Sequence, residues 1–415
     1  MGERKKYKLS DIADIIAGYA FKSKEFGRVG VSVVKIKDIN PPYVDICNTD
    51  KVDISVYPKE KMDKYKIENG DYVIAMTGAT IGKVGRVRGE QTAYINQRVA
   101  KIKAKQGVDN DFVYYAISGN DFQQFIQNNI DSNSAQENIS ATSIGKFPIS
   151  LPPMDEQKRI AGILSALDDK IELNRRINAN LELQAQTLFN HWFVDFEFPN
   201  ADGKPYKSSG GKLIDSPIGQ IPEGWRIGSV NDIVDIQSGF AFKSEDFVDA
   251  GKYRLVTIKN VQDGNMDIAG AVYIDDVPYK MPSYCILQCG DILLSLTGNV
   301  GRCCIVDRQD LLLNQRVAKL HPINKADILF TYAMFRNETF KNKMISIARG
   351  TAQMNLSPIE TGQLQIIIPD DVTLKRFGKY GTPIYQSLLN NRQENIRLAQ
   401  LRDTLLPKLM NKIYY

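Results

Sequence analysis

The sequence predicts an α+β fold built as a pseudo-twofold internal repeat, in which two similar α/β domains are each followed by a long helix. Three observations support this prediction. The same ordered motifs return after about 220 residues, a heptad pattern follows each copy, and within each copy short β-branched runs precede helical sequence. Because the two heptad patterns share one design, we expect the helices to pair as an antiparallel coiled coil.

Short motifs carry the repeat. GYAFKSKEF at residues 18–26 returns as GFAFKSEDF at 239–247, and NQRVAK at 96–101 recurs unchanged at 314–319. Between the matched motifs the two halves differ freely, as in the segment Asn40-Pro-Pro-Tyr43, which has no counterpart in the second half. A common scaffold with divergent segments predicts two related modules that recognise different things.

A heptad seam with alternating steps of four and three residues follows the first copy. It is formed by Ile160, Leu164, Leu167, Ile171, Asn174, Asn178, Leu181, Ala185 and Leu188. The second copy repeats it with Ile384, Leu388, Asn391, Asn395, Leu398 and Leu405. Seam asparagines fix the register of paired helices at some cost in stability. The alternative is two independent amphipathic helices, each packed on its own domain.

The second seam is interrupted by Gly378, Gly381 and Pro383. Thr382 followed by Pro383 has the pattern of an N-cap and a first helical residue, so the second long helix is predicted to begin there.

Within each module, strands are expected where β-branched and aromatic residues alternate with glycine-containing turns. The expected strands are Val31–Ile36, Tyr72–Met76, Tyr253–Ile258 and Ile292–Leu296, and the expected helical patches are 111–130 and 327–347. A glycine- and proline-rich linker joins the halves. The predicted boundaries are 1–152 and 225–369 for the modules, 153–196 and 370–415 for the helices, and 197–224 for the linker.

Composition excludes some classes of protein. With 53 Lys and Arg against 48 Asp and Glu, the net charge of +5 permits a nucleic-acid partner without requiring one. No stretch approaches the ~20 apolar residues of a transmembrane helix, and the first residues lack the apolar run of a signal peptide. We therefore expect a cytoplasmic protein without a membrane partner.

The five cysteines do not indicate a disulfide framework in such a compartment. Cys285, Cys289, Cys303 and Cys304 are close in sequence, but their spacing differs from that of zinc sites. Because neighbouring residues on a strand point to opposite faces, Cys303 and Cys304 are expected to be small core residues rather than metal ligands.

One tetrapeptide has the composition of a catalytic motif. Asn40-Pro-Pro-Tyr43 matches the adenine-binding motif of amino-methyltransferases, so a solitary N6-adenine DNA methyltransferase is the alternative function. Such an enzyme also needs a glycine-rich loop for the methyl donor, which the sequence lacks. A phosphate-binding loop of the GxxxxGK[ST] type is absent as well. The simpler interpretation of the tetrapeptide is a Pro-Pro turn.

Glycine-rich turns beside basic residues are candidates for contacts with DNA phosphates, although tight turns between strands would have the same sequence. The candidate DNA-binding residues are Lys22, Ser23, Lys24, Thr77, Gly78, Lys83, Arg86, Arg88, Arg98, Lys243, Ser244, Thr297, Gly298, Arg302 and Arg316. Because these motifs are shared, base reading is expected in the divergent loops, at about 38–66 and 260–284. Tyr114, Tyr115, Phe122 and Phe125 are expected in the core.

The whole chain resembles the specificity subunit of type I restriction-modification systems. The resemblance rests on the two AFKS blocks and the two NQR segments. It extends to LPPMDEQKRI at 151–160, LFNHWFVDF at 188–196, IPEGW at 221–225 and LRDTLLPKL at 401–409. It implies two target-recognition domains separated by two conserved helices, each domain reading half of a bipartite, asymmetric site in double-stranded DNA.

The resemblance also implies a chain without catalysis of its own and without a cofactor. Methyltransferase subunits, expected to number two, would dock on it and bring restriction subunits. These partners would bind S-adenosylmethionine, ATP and magnesium.

The length of the first helix limits the spacer between the two half-sites. About 37 residues span roughly 55 Å, which corresponds to at most about 16 base pairs between half-site centres.

Overall fold

Each half of the chain folds into a module of two β-sheets and a pair of short helices, as the repeat predicts. The computed structural model describes residues 4–131, 137–350 and 354–411. The described residues divide into two units, one formed by Met1–Lys170 with Leu398–Tyr415 and the other by Ile171–Arg397. Each of the two long helices therefore contributes residues to both units.

The first module contains a six-stranded and a five-stranded sheet. In spatial order the first is formed by Ala13–Ala17, Val99–Ala104, Tyr72–Ala75, Val84–Arg86, Tyr43–Val44 and Ile39–Asn40. The second is formed by Phe26–Gly27, Asp50–Val52, Val31–Val34, Ala93–Ile95 and Lys66–Ile67. Lys5–Lys8 pairs separately with Pro148–Leu151.

The helices of this module pack on both sheets, because Met62 of one helix lies against the five-stranded sheet and the others lie against the six-stranded sheet. They are Leu9–Ile12, Lys59–Met62, Asn110–Ser118, Asn120–Asn128 and Ala141–Ile144. Tyr114, Tyr115 and Phe122 are buried in the core and Phe125 packs against it, as the helical spacing predicts. The predicted helical patch is therefore a pair of consecutive helices.

The second module repeats this plan with two four-stranded sheets. One consists of Val234–Ser238, Val317–Pro322, Ile292–Ser295 and Cys303–Ile305, and the other of Tyr273–Ile274, Tyr253–Val256, Leu311–Leu313 and Ile286–Leu287. Arg226–Ser229 pairs with Gln365–Ile368, and Leu213–Ile214 pairs with Ile221–Pro222. The helices are Ile328–Arg336, Glu338–Ile347 and Pro358–Gly362.

The register of the sheets repeats along with the sequence. Ala100 faces Ala17 and Ile74 in the first module, and Ala318 faces Ser238 and Leu294 in the second. All four predicted strands are present, each one or two residues shorter than expected. Both α/β modules of the predicted fold class are thus confirmed.

The linker between the modules packs against the second module rather than standing apart from it. Phe198 is buried and stacks on Trp225, with ring centroids 4.8 Å apart. Tyr206 stacks on the opposite side of Phe198 at 4.5 Å. The aromatic residues at the ends of the glycine-rich segment thus anchor it to the core.

The two adjacent cysteines of the second module lie in two different cores. Cys303 belongs to the core shared with the helices, and Cys304 to the core of the second sheet. Burial raises the pKa of the Cys304 thiol to about 12. All five cysteines are free, and the described residues contain no cluster suited to hold a metal ion.

The first long helix covers Met154–Phe189 and continues into one π-helical turn, Asn190–Val194. The second covers Asp371–Asn411, a continuous 41 residues, so the prediction that it begins at Thr382 is wrong. Asp370 caps it instead, accepting a hydrogen bond from the Thr373 amide at 2.9 Å. Residues 412–415 of the predicted distal helix lie outside the described residues.

Tertiary packing explains the two glycines in this helix. A Cβ on Gly378 would lie 2.9 Å from the Ala326 carbonyl oxygen, and one on Gly381 would lie 2.9 Å from the Leu329 side chain. The glycines therefore allow the helix to approach the second module closely. The same packing stabilises a helical conformation that these residues disfavour in isolation. None of the helices in the described ranges is long and apolar enough to span a membrane.

The long helices pair antiparallel within each unit. In the second unit the Asn174 amide donates to the Asn395 side-chain oxygen at 2.9 Å, and that of Asn391 donates to Asn178 at 2.9 Å. In the first unit Arg402 pairs with Asp168 at 2.7 Å. The coiled coil of the predicted fold class is therefore present, and the alternative of two separate amphipathic helices is wrong.

The predicted seam residues differ in their degree of burial. Ile160, Leu164, Ile171, Asn174 and Leu388 are buried. Leu167, Asn178, Leu181, Leu188, Ile384, Asn391, Asn395, Leu398 and Leu405 are half-buried. The asparagines therefore lie between the helices, where each amide requires a partner.

Replacing Asn174 by alanine should destabilise the helix pair, because it removes a donor to Asn395 from a fully buried position. We expect a loss of about 1–3 kcal/mol in the free energy of unfolding, measured by urea titration. Replacing both Asn174 and Asn395 by leucine should lower the free energy of unfolding by less than the two single leucine substitutions added together. Each single substitution leaves one amide unpaired between the helices, whereas the double substitution leaves none. Asn180→Ala, exposed on the same helix, is the control. Strictly additive losses would contradict this account.

Candidate nucleic-acid interface

The GYAFKS and NQR motifs lie against each other in the first module. The Tyr19 amide donates to the Ile95 carbonyl at 2.9 Å, and the Gln97 amide donates to the Tyr19 carbonyl at 2.9 Å. In the second module Phe240 makes the same two bonds, both at 2.9 Å, with Leu313 and Gln315. Motifs separated by about 75 residues in sequence thus form one structural feature.

The first glycine of each GYAFKS-type motif permits this contact. A Cβ on Gly18 would lie 2.3 Å from the Asn96 carbonyl oxygen, and one on Gly239 would lie 2.2 Å from that of Asn314. Neither distance is possible for a real side chain. The glycine is therefore required by the close approach of the two segments.

The glycine-rich turns join the same feature. The Met76 amide donates to the Arg98 carbonyl, and the Ile139 amide to the Met76 carbonyl, both at 2.9 Å. In the second module Leu296 donates to Arg316 at 3.0 Å and accepts from Leu356 at 2.7 Å. We call these four segments the motif cluster, which comprises 18–24, 76–82, 96–98 and 137–140 in the first module, and 239–244, 296–301, 314–316 and 354–357 in the second.

The fourth segment was missed in the sequence analysis. Asn138-Ile-Ser140 recurs as Asn355-Leu-Ser357 at an offset of 217 residues. The Thr297 hydroxyl bonds the Asn355 side-chain oxygen at 3.0 Å, and Thr77 pairs with Asn138 in an isolated β-bridge. The constant spacing of an Asn-x-Ser triplet was the signal that could have revealed it.

The motif cluster exposes basic side chains. Arg98 and Arg316 are exposed at equivalent positions, and no described carboxylate forms an ion pair with either of them. Lys22, Ser23, Lys24, Lys243 and Ser244 of the cluster are also exposed, as is Lys83 next to it in sequence, and Lys243 pairs with Glu245 at 2.9 Å. The structure therefore brings together most of the predicted DNA-binding residues in each module.

A groove of about 610 Å³ opens beside the cluster in the second module. It is lined by Ser238, Leu296, Thr297, Gln315, Arg316, Asn355, Leu356, Ser357 and Pro358. Gly298 beside it has a φ of +73°, as Gly78 has +72° in the first module. Glycine at these positions allows the left-handed turn that follows each buried strand.

Three of the predicted phosphate contacts have intramolecular partners. Arg86 lies 3.4 Å from Asp111, Arg88 pairs with Asp169, and Arg302 donates to Gln262 at 2.6 Å. These side chains are half-buried. The geometry favours a role in the scaffold for Arg86, Arg88 and Arg302, whereas Arg98 and Arg316 are directed to solvent.

The Asn40–Tyr43 tetrapeptide is the turn of a β-hairpin. Asn40 pairs with Tyr43, and Pro41 and Pro42 connect them. The Arg88 guanidinium lies 4.5 Å above the Tyr43 ring. The simpler interpretation as a Pro-Pro turn thus agrees with the structure, and the ring stacks on a protein cation.

Comparison with known proteins decides the family. Residues 1–183 and 222–397 both match the Type I restriction modification DNA specificity domain. The chain belongs to this family. Its relatives are specificity subunits, which recognise DNA and are not themselves catalytic. The sequence-based identification as a non-enzymatic specificity subunit is therefore confirmed.

Curated relatives match over most of their length. The chain is 25% identical to the MjaIX specificity subunit of Methanocaldococcus jannaschii, over 97% of this chain and 91% of the relative. It is 26% identical to the EcoBI specificity subunit of Escherichia coli, over 84% and 72%. The crystal structure of the specificity subunit from M. genitalium has the same fold, with a TM-score of 0.53, 16% identity and coverage of 98% and 96%.

Replacing Gly18 by alanine in this specificity subunit should disrupt the first motif cluster, because the new Cβ would overlap the Asn96 carbonyl. We expect the first module to lose about 1–3 kcal/mol of stability, measured by thermal unfolding. Hydrogen exchange at the Gln97 amide should accelerate. The matched control is Gly27→Ala, whose Cβ would meet no atom within 4 Å. Equal effects of the two substitutions would contradict the role given to Gly18.

Proposed function

We propose that this chain gives a type I restriction-modification complex its DNA target, with each module reading one half of a bipartite, asymmetric site. The observation that carries the proposal is the duplication of the motif cluster beside loops that differ. Equivalent exposed arginines, Arg98 and Arg316, suit contacts with phosphates, which are the same in every sequence. The loops at 38–66 and 260–284 differ in sequence and structure, as base-reading segments of two half-sites must.

The loops themselves support this division of roles. The first begins with the Ile39–Asn40 and Tyr43–Val44 hairpin and contains the short helix Lys59–Met62. The second contains the strand Tyr273–Ile274 and has no α-helix between residues 260 and 284. Different side chains are thus presented by equivalent positions of one scaffold, so two unrelated half-sites are expected.

The long helices are the proposed docking site for methyltransferase subunits and the element that sets the length of the unread spacer. In the second unit, Leu173, Ile177 and Leu183 of the first long helix are 49%, 39% and 64% exposed. Contiguous apolar surface is typical of protein interfaces, and Leu173 and Ile177, four residues apart, lie on the same face of the helix. The internal repeat favours two methyltransferase subunits, which would bring the restriction subunits.

Cofactor chemistry is assigned to the partners in this proposal. S-adenosylmethionine would be bound by the methyltransferase subunits, and ATP and magnesium by the restriction subunits. This chain would contribute the choice of site. A cytoplasmic location stays a prediction.

Methylome sequencing tests the proposed function. The chain is co-expressed with its neighbouring methyltransferase gene in a host without DNA methylation. We expect N6-methyladenine in a bipartite motif, with two different half-sites and a spacer of fixed length. The control omits this chain and should give no methylation.

Two outcomes would overturn the proposal. If the same motif were methylated in cells that lack this chain, the methyltransferase itself would choose the sequence. A single continuous motif would contradict reading by two modules.

Replacing Arg98 or Arg316 by glutamine should weaken DNA binding to a similar extent on all sequences, because a phosphate contact carries no base information. Binding of the assembled complex is measured by fluorescence anisotropy at several salt concentrations. We expect the slope of log K against log salt to fall by about one for each arginine removed. Arg226→Gln, exposed but outside the motif cluster, is the control. A loss confined to the specific site would indicate base reading instead.

A further inference from the structure

A cluster of charged and polar side chains joins the long helices to the second module. Glu182 of the first long helix accepts hydrogen bonds from Tyr332 and, at 3.0 Å, from Arg392 of the second long helix. Arg336 approaches the same carboxylate at 3.8 Å. The side chains of Glu182 and Arg392 are only 17% and 10% exposed. Each charge is therefore poorly hydrated and depends on its partners.

Arg392 also reaches a hairpin of the module. Its guanidinium donates to the Gly264 carbonyl at 2.9 Å. Gly264 lies in the turn between Val261 and Met266, and its amide donates to the Cys303 carbonyl at 2.8 Å. This hairpin begins the divergent loop 260–284. A residue of the helix pair thus fixes the base of a segment expected to read DNA.

Ion pairs hold the same turn from the module side. Asp263 pairs with Arg336 and, at 2.8 Å, with Lys341. Gly264 has a φ of +79°, and a Cβ there would lie 2.8 Å from the Arg336 guanidinium. The turn is therefore closely packed between Arg336 and Arg392, and its positive φ favours glycine.

The first unit contains an equivalent arrangement. Tyr115, which corresponds to Tyr332 in the repeat, donates to Asp168 at 2.8 Å, and Arg402 pairs with Asp168 at 2.7 Å. Asp169 beside it pairs with Arg88, whose guanidinium stacks on Tyr43 of the other hairpin. In both units a tyrosine, a carboxylate of the first long helix and an arginine of the second form one network.

The pKa values of the two tyrosines keep their hydroxyls protonated, so that they can donate to the carboxylates of the network. Burial and the nearby Glu182 carboxylate raise the pKa of Tyr332 well above its ordinary value. The Tyr332 hydroxyl thus stays protonated and donates to Glu182 throughout the physiological range. Burial and the nearby Asp168 carboxylate likewise raise the pKa of Tyr115 well above its ordinary value.

We propose that Glu182 and Arg392 are positioning residues for sequence reading, which hold the Val261–Met266 hairpin and so determine how the second module reads its half-site. The inference rests on the proposed function and extends it, because it assigns part of the specificity to residues outside the modules. The helix pair then acts on the base-reading loop as well as on the spacer.

Methylome sequencing of an Arg392→Met chain in the complete complex tests this inference. We expect one half-site to become relaxed, with methylation at sites carrying a single mismatch there rising by at least about fivefold. The other half-site should stay as in the wild type. Asp169→Asn, which releases Arg88 in the first unit, should relax the opposite half-site.

Arg397→Met is the matched control, because Arg397 is exposed on the same helix and makes no hydrogen bond or ion pair with the hairpin in the described part of the chain. It makes the same chemical change away from the hairpin and should leave both half-sites unchanged. If the complex with Arg392→Met methylated only the wild-type motif, or if both half-sites became equally relaxed, the inference would be overturned.

Asp263→Asn keeps the inference testable if Arg392→Met does not fold. It removes the ion pairs of the turn without altering the helix pair, and the same half-site should relax. In both variants the Gly264 amide should exchange with solvent about tenfold faster, and an unchanged rate would overturn the inference. A wild-type chain that directs no bipartite methylation would refute the proposed function itself, and the two failures are therefore distinguishable.

Discussion

Hydrogen bonding between the asparagine side chains of the two long helices is the constraint on which the rest of the structure depends. In the second unit, Asn174 with Asn395 and Asn178 with Asn391 allow one register of the helices, because any other register would bury unpaired amides. Once the register is fixed, Glu182 and Arg392 lie opposite each other and can share partners from the module. The module is thus attached to a defined position on the helices.

Duplication explains why the chain combines constancy with variation. The motif cluster depends on backbone contacts that tolerate no change at Gly18 or Gly239, and its segments are therefore nearly the same in both copies. The loops between these segments are not held by such close backbone contacts. They have diverged to a two-proline turn in one copy and an Asp-Gly turn in the other. A protein that reads two different sequences with one architecture requires this separation.

The features of the structure that the sequence did not predict have a common physical origin. Gly378, Gly381 and Pro383 disfavour a helix by local propensity, but close packing on Ala326 and Leu329 stabilises one. Arg86, Arg88 and Arg302 lie beside glycine-rich turns, and their contact with phosphates stays a prediction, but the structure gives each of them an intramolecular partner. Their partners Asp111, Asp169 and Gln262 are distant in sequence, so no local pattern could reveal them.

The sequence by itself determined the repeat, the α/β class of each module, the asparagine seam and the family, because each of these is recorded in periodicity or in ordered motifs. Tertiary structure alone decided which basic side chains are free and how the loops are held. Arg98 and Arg88 look alike in sequence, yet one is exposed and the other pairs with a helix carboxylate. The physical reason is that charge pairing and burial depend on contacts between residues far apart in the chain.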